Sequence, residues 1–383
     1  GFDLDMAERV LDRTHAAPTV LDLVAQSLVS QFESPIGPRF RLLETIRDFA
    51  RVRLEGSSIA VEARDRHLDW CLDFASEVHG ARLLGPWDAV VDRLHEEADN
   101  LSAGLRWAEG QARPTDAGSI AEALAEHWVS LGALRSAIAA MQEALATCDD
   151  QTKEAYLHGK LAWLLFYNAD PEGAMAEAEL GYRLAKRVPS SPEKVSAICD
   201  LAGLHMMVVM LDPVIAIQLA EEAVEVSDEL GEPPSAILAR SELASALAWN
   251  GQTEAGIAEA ESVLQLARRT GEHRLIGAGY SGLLHVLYMD PVARRDRPIE
   301  IVEQMLSEYP EDDPRWQTLL PSGWPPWALL QSGQFGRALE MLSRIEALRR
   351  EGGALVDHRV QRGTVRWMQG RLEGAWGDVL EAE

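Results

Sequence analysis

Three short stretches carry residue types that do chemistry in other proteins. "HEEAD" at 95–99 approaches the helical H-E-x-x-H pattern, in which two imidazoles one turn apart bind zinc. Asp99 stands where the second histidine is needed, so His95 reads as a residue on a solvated helix face. "GYSGL" at 279–283 lacks the last glycine of a nucleophile elbow and lies inside a helical pattern, which leaves Ser281 unplaced for attack. "HGKLA" at 158–162 lacks the first glycine and the hydroxyl residue of a phosphate-binding loop, and G-x-x-x-x-G-K-[ST] occurs nowhere in the chain. The acid pairs Glu221, Glu222 and Asp312, Asp313 are adjacent, so on a helix they point to different faces and cannot share a reacting atom. Cys71, Cys148 and Cys199 are odd in number, far apart and form no CxxC pair, which indicates neither a disulfide framework nor zinc and fits a reducing cytoplasm. These residues indicate no catalytic set and no metal site, so the chain is expected not to be an enzyme.

Charge narrows the partners. Acidic residues outnumber basic ones by 61 to 36 in 383 residues, a net charge of -25 that repels nucleic acid phosphates and anionic membrane faces. Direct nucleic acid binding and membrane association are therefore not expected. The longest apolar run, "LHMMVVML" at 204–211, is far too short to span a bilayer. Residues 1–60 differ from the rest, with seven arginines, no lysine and nine acids. Four of those arginines interleave with apolar residues at helical spacing in "FRLLETIRDFARVRL" at 40–54. The absence of an initial methionine and the uncapped helical pattern "LEGAWGDVLEAE" at the end are expected of an excised piece of a longer polypeptide.

The elements that must position any site are helices. Ala, Leu and Glu abound, alternating patterns are scarce, and Gly or Pro turns recur at wide, similar intervals. The exception is "QSLVSQFESPIGPRFRLL" at 26–43, where "LVSQF" and "RFRLL" flank a turn with Pro35, Gly37 and Pro38 and read as a hairpin. A helix closing over 22–27 and another opening at Thr45 give the order helix, helix, hairpin, helix of a winged-helix module.

From about residue 115 a unit repeats: a helix, a turn with Gly or Asp-Pro, then an Ala-rich second helix. Counting five places from each turn start gives Ala137, Ala174, Ala216, Ala255, Arg294, Ala338 and Ala375, spaced by 37, 42, 39, 39, 44 and 37 residues. A small residue belongs where two antiparallel helices cross closely. Arg294 breaks that rule, so the fifth unit is expected to be distorted. "LLPSGWPPWALL" at 319–330 sets three prolines in a first helix and predicts a kink there.

The seven units in register resemble tetratricopeptide repeats of the longer form found in large bacterial regulators, with HEAT-like solenoids as the competing reading. Together with "GFDLDMAERVL" at 1–11, "VLDLVAQSLVSQF" at 20–32, "RFRLLETIRDFARVRL" at 39–54 and "RLHEEADNLSAGLRWA" at 93–108, they resemble the winged-helix and repeat part of bacterial signal-transduction ATPases of the STAND class, many of them LuxR-type transcription regulators. The resemblance implies an all-α fold: a tetratricopeptide-like α-α superhelix preceded by a small winged-helix module with a short β-hairpin. The expected organisation is a winged-helix module over 1–60, connecting helices over 61–114 and about seven repeats over 115–383. It also implies an ATPase module upstream, holding ATP or ADP, and an effector domain elsewhere in the full protein, with no cofactor in this chain. In related switches a Met-His-Asp triplet of the winged helix touches the nucleotide phosphate. Leu42, Leu43 and Glu44 occupy those places here, and Leu43 cannot hydrogen-bond a phosphate. Arg39, Arg41 or Arg47 nearby is expected to substitute as phosphate partner, and with Arg51 they are expected to make a docking face for the neighbouring domain.

What remains is recognition. The first helices of the repeats carry Trp128, Trp163, Tyr167, His205, Trp249, Tyr280, His285, Tyr288, Trp327 and Trp367, large side chains with polar tips that suit a binding surface. The expected function is a sensor arm that binds an effector small molecule or protein on the repeats and relays it through the winged helix. The alternative is a constitutive scaffold for protein partners. A sensor is expected to offer an enclosed pocket and a scaffold an open groove, and the acidic balance favours neutral or cationic effectors.

Overall fold

The computed structural model describes residues 1–12, 16–34, 36–85, 87–208, 212–289, 296–309 and 324–348, with Thr364 and Arg366. They form seventeen helices and one two-stranded sheet, an all-α fold with a hairpin near its start. The chain divides into two compact units. One draws on residues 1–82, 87–127 and 139–149, the other on 83–86, 128–138 and 150–383.

The first unit opens with α1 (Leu4–Leu11), whose N-terminus is capped by Asp3 accepting from the Met6 amide, and α2 (Ala17–Ala25) with Pro18 in its first turn. Strands β1 (Val29–Ser34) and β2 (Gly37–Leu42) follow, paired from Val29 opposite Leu42 to Ser34 opposite Gly37. Gly37 takes φ +113°, a conformation that a side chain would strain, which fixes the tight turn there. Phe2 adds a bridge that the alternation did not reveal: its amide and carbonyl exchange bonds of 2.9 and 2.8 Å with Phe40. Ala7, Ala16, Val20, Val29 and Phe40 form the small core of this module. Helix α3 (Glu44–Glu55) buries none of its residues. Longer helices complete the unit: α4 (Ala60–Leu84), α5 (Asp88–Gly110), and most of α6 (Pro114–Ser130) with the end of α7 (Leu134–Thr147).

The second unit is a series of helix pairs. They are α8 (Gln151–Tyr167) with α9 (Pro171–Ala185), α10 (Pro192–Met207) with α11 (Pro213–Leu230), and α12 (Pro233–Trp249) with α13 (Thr253–Thr270). Then come α14 (His273–Met289) with α15 (Asp296–Glu308), and α16 (Trp324–Gln331) with α17 (Phe335–Leu348). Each first helix packs on its own partner and on the first helix of the next pair, so α8, α10, α12 and α14 lie side by side. Pro at the first turn and Asp or Ser caps start several of them: Asp150, Asp170, Ser191 and Asp212 each accept from amides of the following turn.

The small residues sit where the helices cross, with one correction. Ala137, Ala174, Ala216 and Ala338 are fully buried, but Ala255 is exposed and its neighbour Gly256 takes the crossing. A Cβ on Gly256 would lie 2.7 Å from the Ala244 carbonyl oxygen, so the helix α13 phase is set one residue later than the turn count implies. Pro325 and Pro326 fall in the first turn of α16, where their missing amides lose nothing, and not in a helix interior. Arg294, Pro321 and Ala375 lie outside the described residues.

Candidate functional site

Helices α8, α10 and α12 bring four polar side chains to one place. Lys160 and Trp163 are three residues apart on one face of α8. Across from them Asp200 of α10 is 7% exposed, and a charge that deep needs partners. It has them: Lys160 Nζ lies 3.0 Å from Oδ1 and 2.9 Å from Oδ2, and the Trp163 indole N–H donates to Oδ1 at 2.9 Å. Gly203, one turn after Asp200, makes the indole position possible. A Cβ there would come within 2.8 Å of the Trp163 ring and 3.5 Å of Glu242 Oε2. The indole stacks on Tyr167, with centroids 5.9 Å apart and planes at 30°, and Tyr167 is 67% exposed.

Glu242 of α12 closes the cluster. Burial, reinforced by the Asp200 charge and opposed by Lys160, pushes its carboxyl up to about 7, so it holds a proton part of the time near neutrality. The corner thus pairs an aromatic face with a carboxyl of adjustable charge, suited to a neutral or cationic hydrogen-bonding group. Lys160, Asp200 and Glu242 were not picked out from the sequence. The available signal was a charged residue inside an otherwise apolar first-helix run, as in "AICDLAGL" and "SELASAL".

The other aromatic and histidine candidates scatter. Trp163 and Tyr167 meet as described, and Tyr288 meets Trp327 with centroids 6.3 Å apart. Trp128 is half-buried on α6, and Trp249 packs at the end of α12 beside Met206, Ala216 and Ala246. Tyr280 has no exposed surface, and its hydroxyl accepts from Arg268 at 2.6 Å, so it is a core residue and not a ligand contact. His285 is driven down to about 4 by burial and stays neutral near neutrality. His205 faces away from the cluster, towards a cavity between α9, α10 and α11. Trp367 lies outside the described residues.

The arginines also divide. Arg39 is 1% exposed and donates to Glu97, itself fully buried, at 2.6 Å, with Glu96 3.9 Å away. That pair fastens β2 to α5, so Arg39 cannot face a neighbouring domain. Arg41, Arg47 and Arg51 are exposed: Arg41 lies over the Phe32 ring at 5.2 Å, while Arg47 and Arg51 pair loosely with Glu44 and Asp48 at 3.5 Å. Beside them α3 presents Phe49 and Val52, 61% and 65% exposed, an apolar face that the unit leaves uncovered. His95 is a second correction, since it is half-buried with its Nδ1 3.2 Å from that of His127. Among the described residues no group of three or more His, Cys, Asp or Glu could hold a metal ion, and no helix is long and apolar enough to cross a membrane.

No protein-family model matches the chain. Proteins named as HTH-type transcriptional regulators in Mycobacterium tuberculosis and Mycobacterium bovis are 33% identical to it over 147 residues, 36% of this chain and 16% of theirs. The matched stretch is thus about a sixth of those relatives' length. The fold is similar to a STAND protein with a tetratricopeptide repeat sensor from Pyrococcus horikoshii, with a TM-score of 0.51 at 14% identity over 99% of this chain and 60% of that one. It is also similar to a Rap protein crystallised with competence and sporulation factor, with a TM-score of 0.57 at 11% identity over 99% of this chain and 98% of that one. The chain is therefore a tetratricopeptide-like helical repeat protein with a hairpin-bearing N-terminal module, similar in fold to a repeat-bearing STAND protein and, over part of its length, in sequence to HTH-type transcriptional regulators.

Proposed function

We propose that the chain is the effector-binding arm of a STAND-type transcription regulator, and that its effector docks on the Lys160, Trp163, Asp200 and Glu242 corner. The observation that carries this is the alignment of three successive first helices, which sets a half-buried indole and a carboxyl of raised pKa side by side. The effector class this favours is neutral or cationic, either a small molecule or a polypeptide segment. Effector binding in general is supported by the fold's similarity to a Rap protein crystallised with competence and sporulation factor.

In the proposed mechanism the effector prefers one packing of the repeats and so biases how the N-terminal module sits on an upstream ATPase domain, the part of the full protein that would hold ATP or ADP. Exposed Arg41, Arg47 and Arg51, with Phe49 and Val52 beside them on α3, supply the docking surface. An effector domain of the full protein reads out the change.

The test is native mass spectrometry of the protein isolated from its own type of cell, beside its Trp163→Ala variant. A small mass or peptide retained at one per chain, and lost from the variant, is the expected result. Chains that carry nothing, with protein partners recovered equally from both forms, would replace the sensor with a constitutive scaffold.

A further inference from the structure

Helix α10 has a second working face. Asp200 points into the corner described above, while Leu201 and His205, one turn apart, face the groove between α9 and α11. There a half-open cavity of about 430 Å³ lies between the helices, within the usual range for small-molecule sites. Leu201 and Leu219 line its interior, and Ile215 and Gln218 are exposed at its rim.

Its polar edge is organised. The Tyr182 hydroxyl donates to Glu222 Oε2 at 2.8 Å and Lys186 Nζ donates to Oε1 at 3.0 Å, so the carboxylate is held and largely compensated. His205 is different: its Nδ1 is buried and has no hydrogen-bond partner among the described residues. A buried unpaired ring nitrogen weakens a fold, and a group that completes it removes the defect.

We propose that this cavity binds a small uncharged molecule with a compact apolar body and one amide or hydroxyl head, the head pairing with His205 Nδ1. Three aliphatic side chains set the apolar body. An amide or hydroxyl can donate or accept, so it serves either imidazole tautomer. With the Lys186 ammonium already engaged by Glu222, the lining residues hold out no cation to an incoming anion, which would have to shed its water without a partner. The site does not rest on the Trp163 corner, because none of Lys160, Trp163, Asp200 and Glu242 lines this cavity.

The test uses the full 383-residue chain with methyl labels on isoleucine and leucine, titrated to millimolar concentration with 3-phenylpropanamide and its anionic isostere 3-phenylpropanoate. The amide is expected to shift the Ile215, Leu201 and Leu219 methyl signals and to bind about tenfold or more tightly than the anion. His205→Phe keeps the ring volume and removes the nitrogen, and should weaken the amide about tenfold, the loss of one hydrogen bond. Gln218→Trp, at the exposed rim, should block binding without disturbing the core, with an unchanged melting curve to show that the variant folds. Trp163→Ala should bind the amide as the parent does. Equal binding of amide and anion, undiminished binding to His205→Phe, dependence on Trp163, or no shift at those three methyls would each overturn the assignment.

Discussion

The sharpest energetic consequence of the first-helix corner concerns Glu242. Its carboxyl is raised from 4.5 in a free peptide to about 7 in the fold, chiefly by burial and then by the Asp200 charge. A raised carboxyl binds its proton more tightly folded than unfolded, so its stabilising contribution is complete below the unfolded value of 4.5. It is lost as pH rises through the folded value near 7. At about 1.4 kcal/mol per pKa unit the full span corresponds to about 3 kcal/mol, and screening at a partly open site reduces it to about 2. Glu242→Gln keeps the shape, removes the titration, and so should gain about 2 kcal/mol over the parent at pH 8 relative to pH 5. For a unit of this size that is a difference of about 4–8 °C in melting temperature. The assay is thermal melting of both proteins at pH 5 and pH 8, taking the difference of differences so that other titrating groups cancel. A variant that shifts the melting temperature equally at both pH values would refute the placement of Glu242 against Asp200.

Other substitutions test other parts of the structure. Arg39→Met should destabilise the first unit by about 3–5 kcal/mol, because it strands the buried Glu97 carboxylate, and the double change with Glu97→Leu should recover most of that in denaturant titrations. If Arg39 were a docking residue, the single change would instead leave the melt unaltered. Gly256→Val should cost about 2 kcal/mol or more from overpacking against Ala244, whereas Ala255→Val on the exposed side of the same turn should stay within about 0.5 kcal/mol, read from urea midpoints. Phe49→Glu with Val52→Glu should leave the melting of this chain within about 0.5 kcal/mol, since both side chains are exposed, yet release the N-terminal module in the full-length protein, measured as faster proteolysis between domains.

Much of the architecture was legible because it is periodic. Caps such as Asp150 and Asp170, Pro at first turns, and buried alanines at a spacing near 40 residues are local signals, and each helix pair reads them without reference to distant parts. The hairpin was legible for the same reason, since two short apolar runs flank a turn that only Gly37 satisfies. Phe2 was not, because a bridge of one residue leaves no alternation to detect. Nor was the phase of α13, where Ala255 and Gly256 are both small and only the packed helix decides which one meets Ala244.

The amino-acid sequence by itself determined the helical class, the repeat, the hairpin module and the acidic balance, because propensity, periodicity and charge are summed along the chain. Which polar residues work together was decided only by the tertiary structure. Lys160, Asp200 and Glu242 are 40 and 42 residues apart and become neighbours solely because successive first helices stack side by side. The same stacking buried Tyr280 and gave the two faces of α10 separate surroundings, while in the first unit the packing of β2 on α5 turned Arg39 from a surface cation into an internal tie. Burial and proximity are properties of the packed pairs, and one-dimensional spacing carries no measure of either.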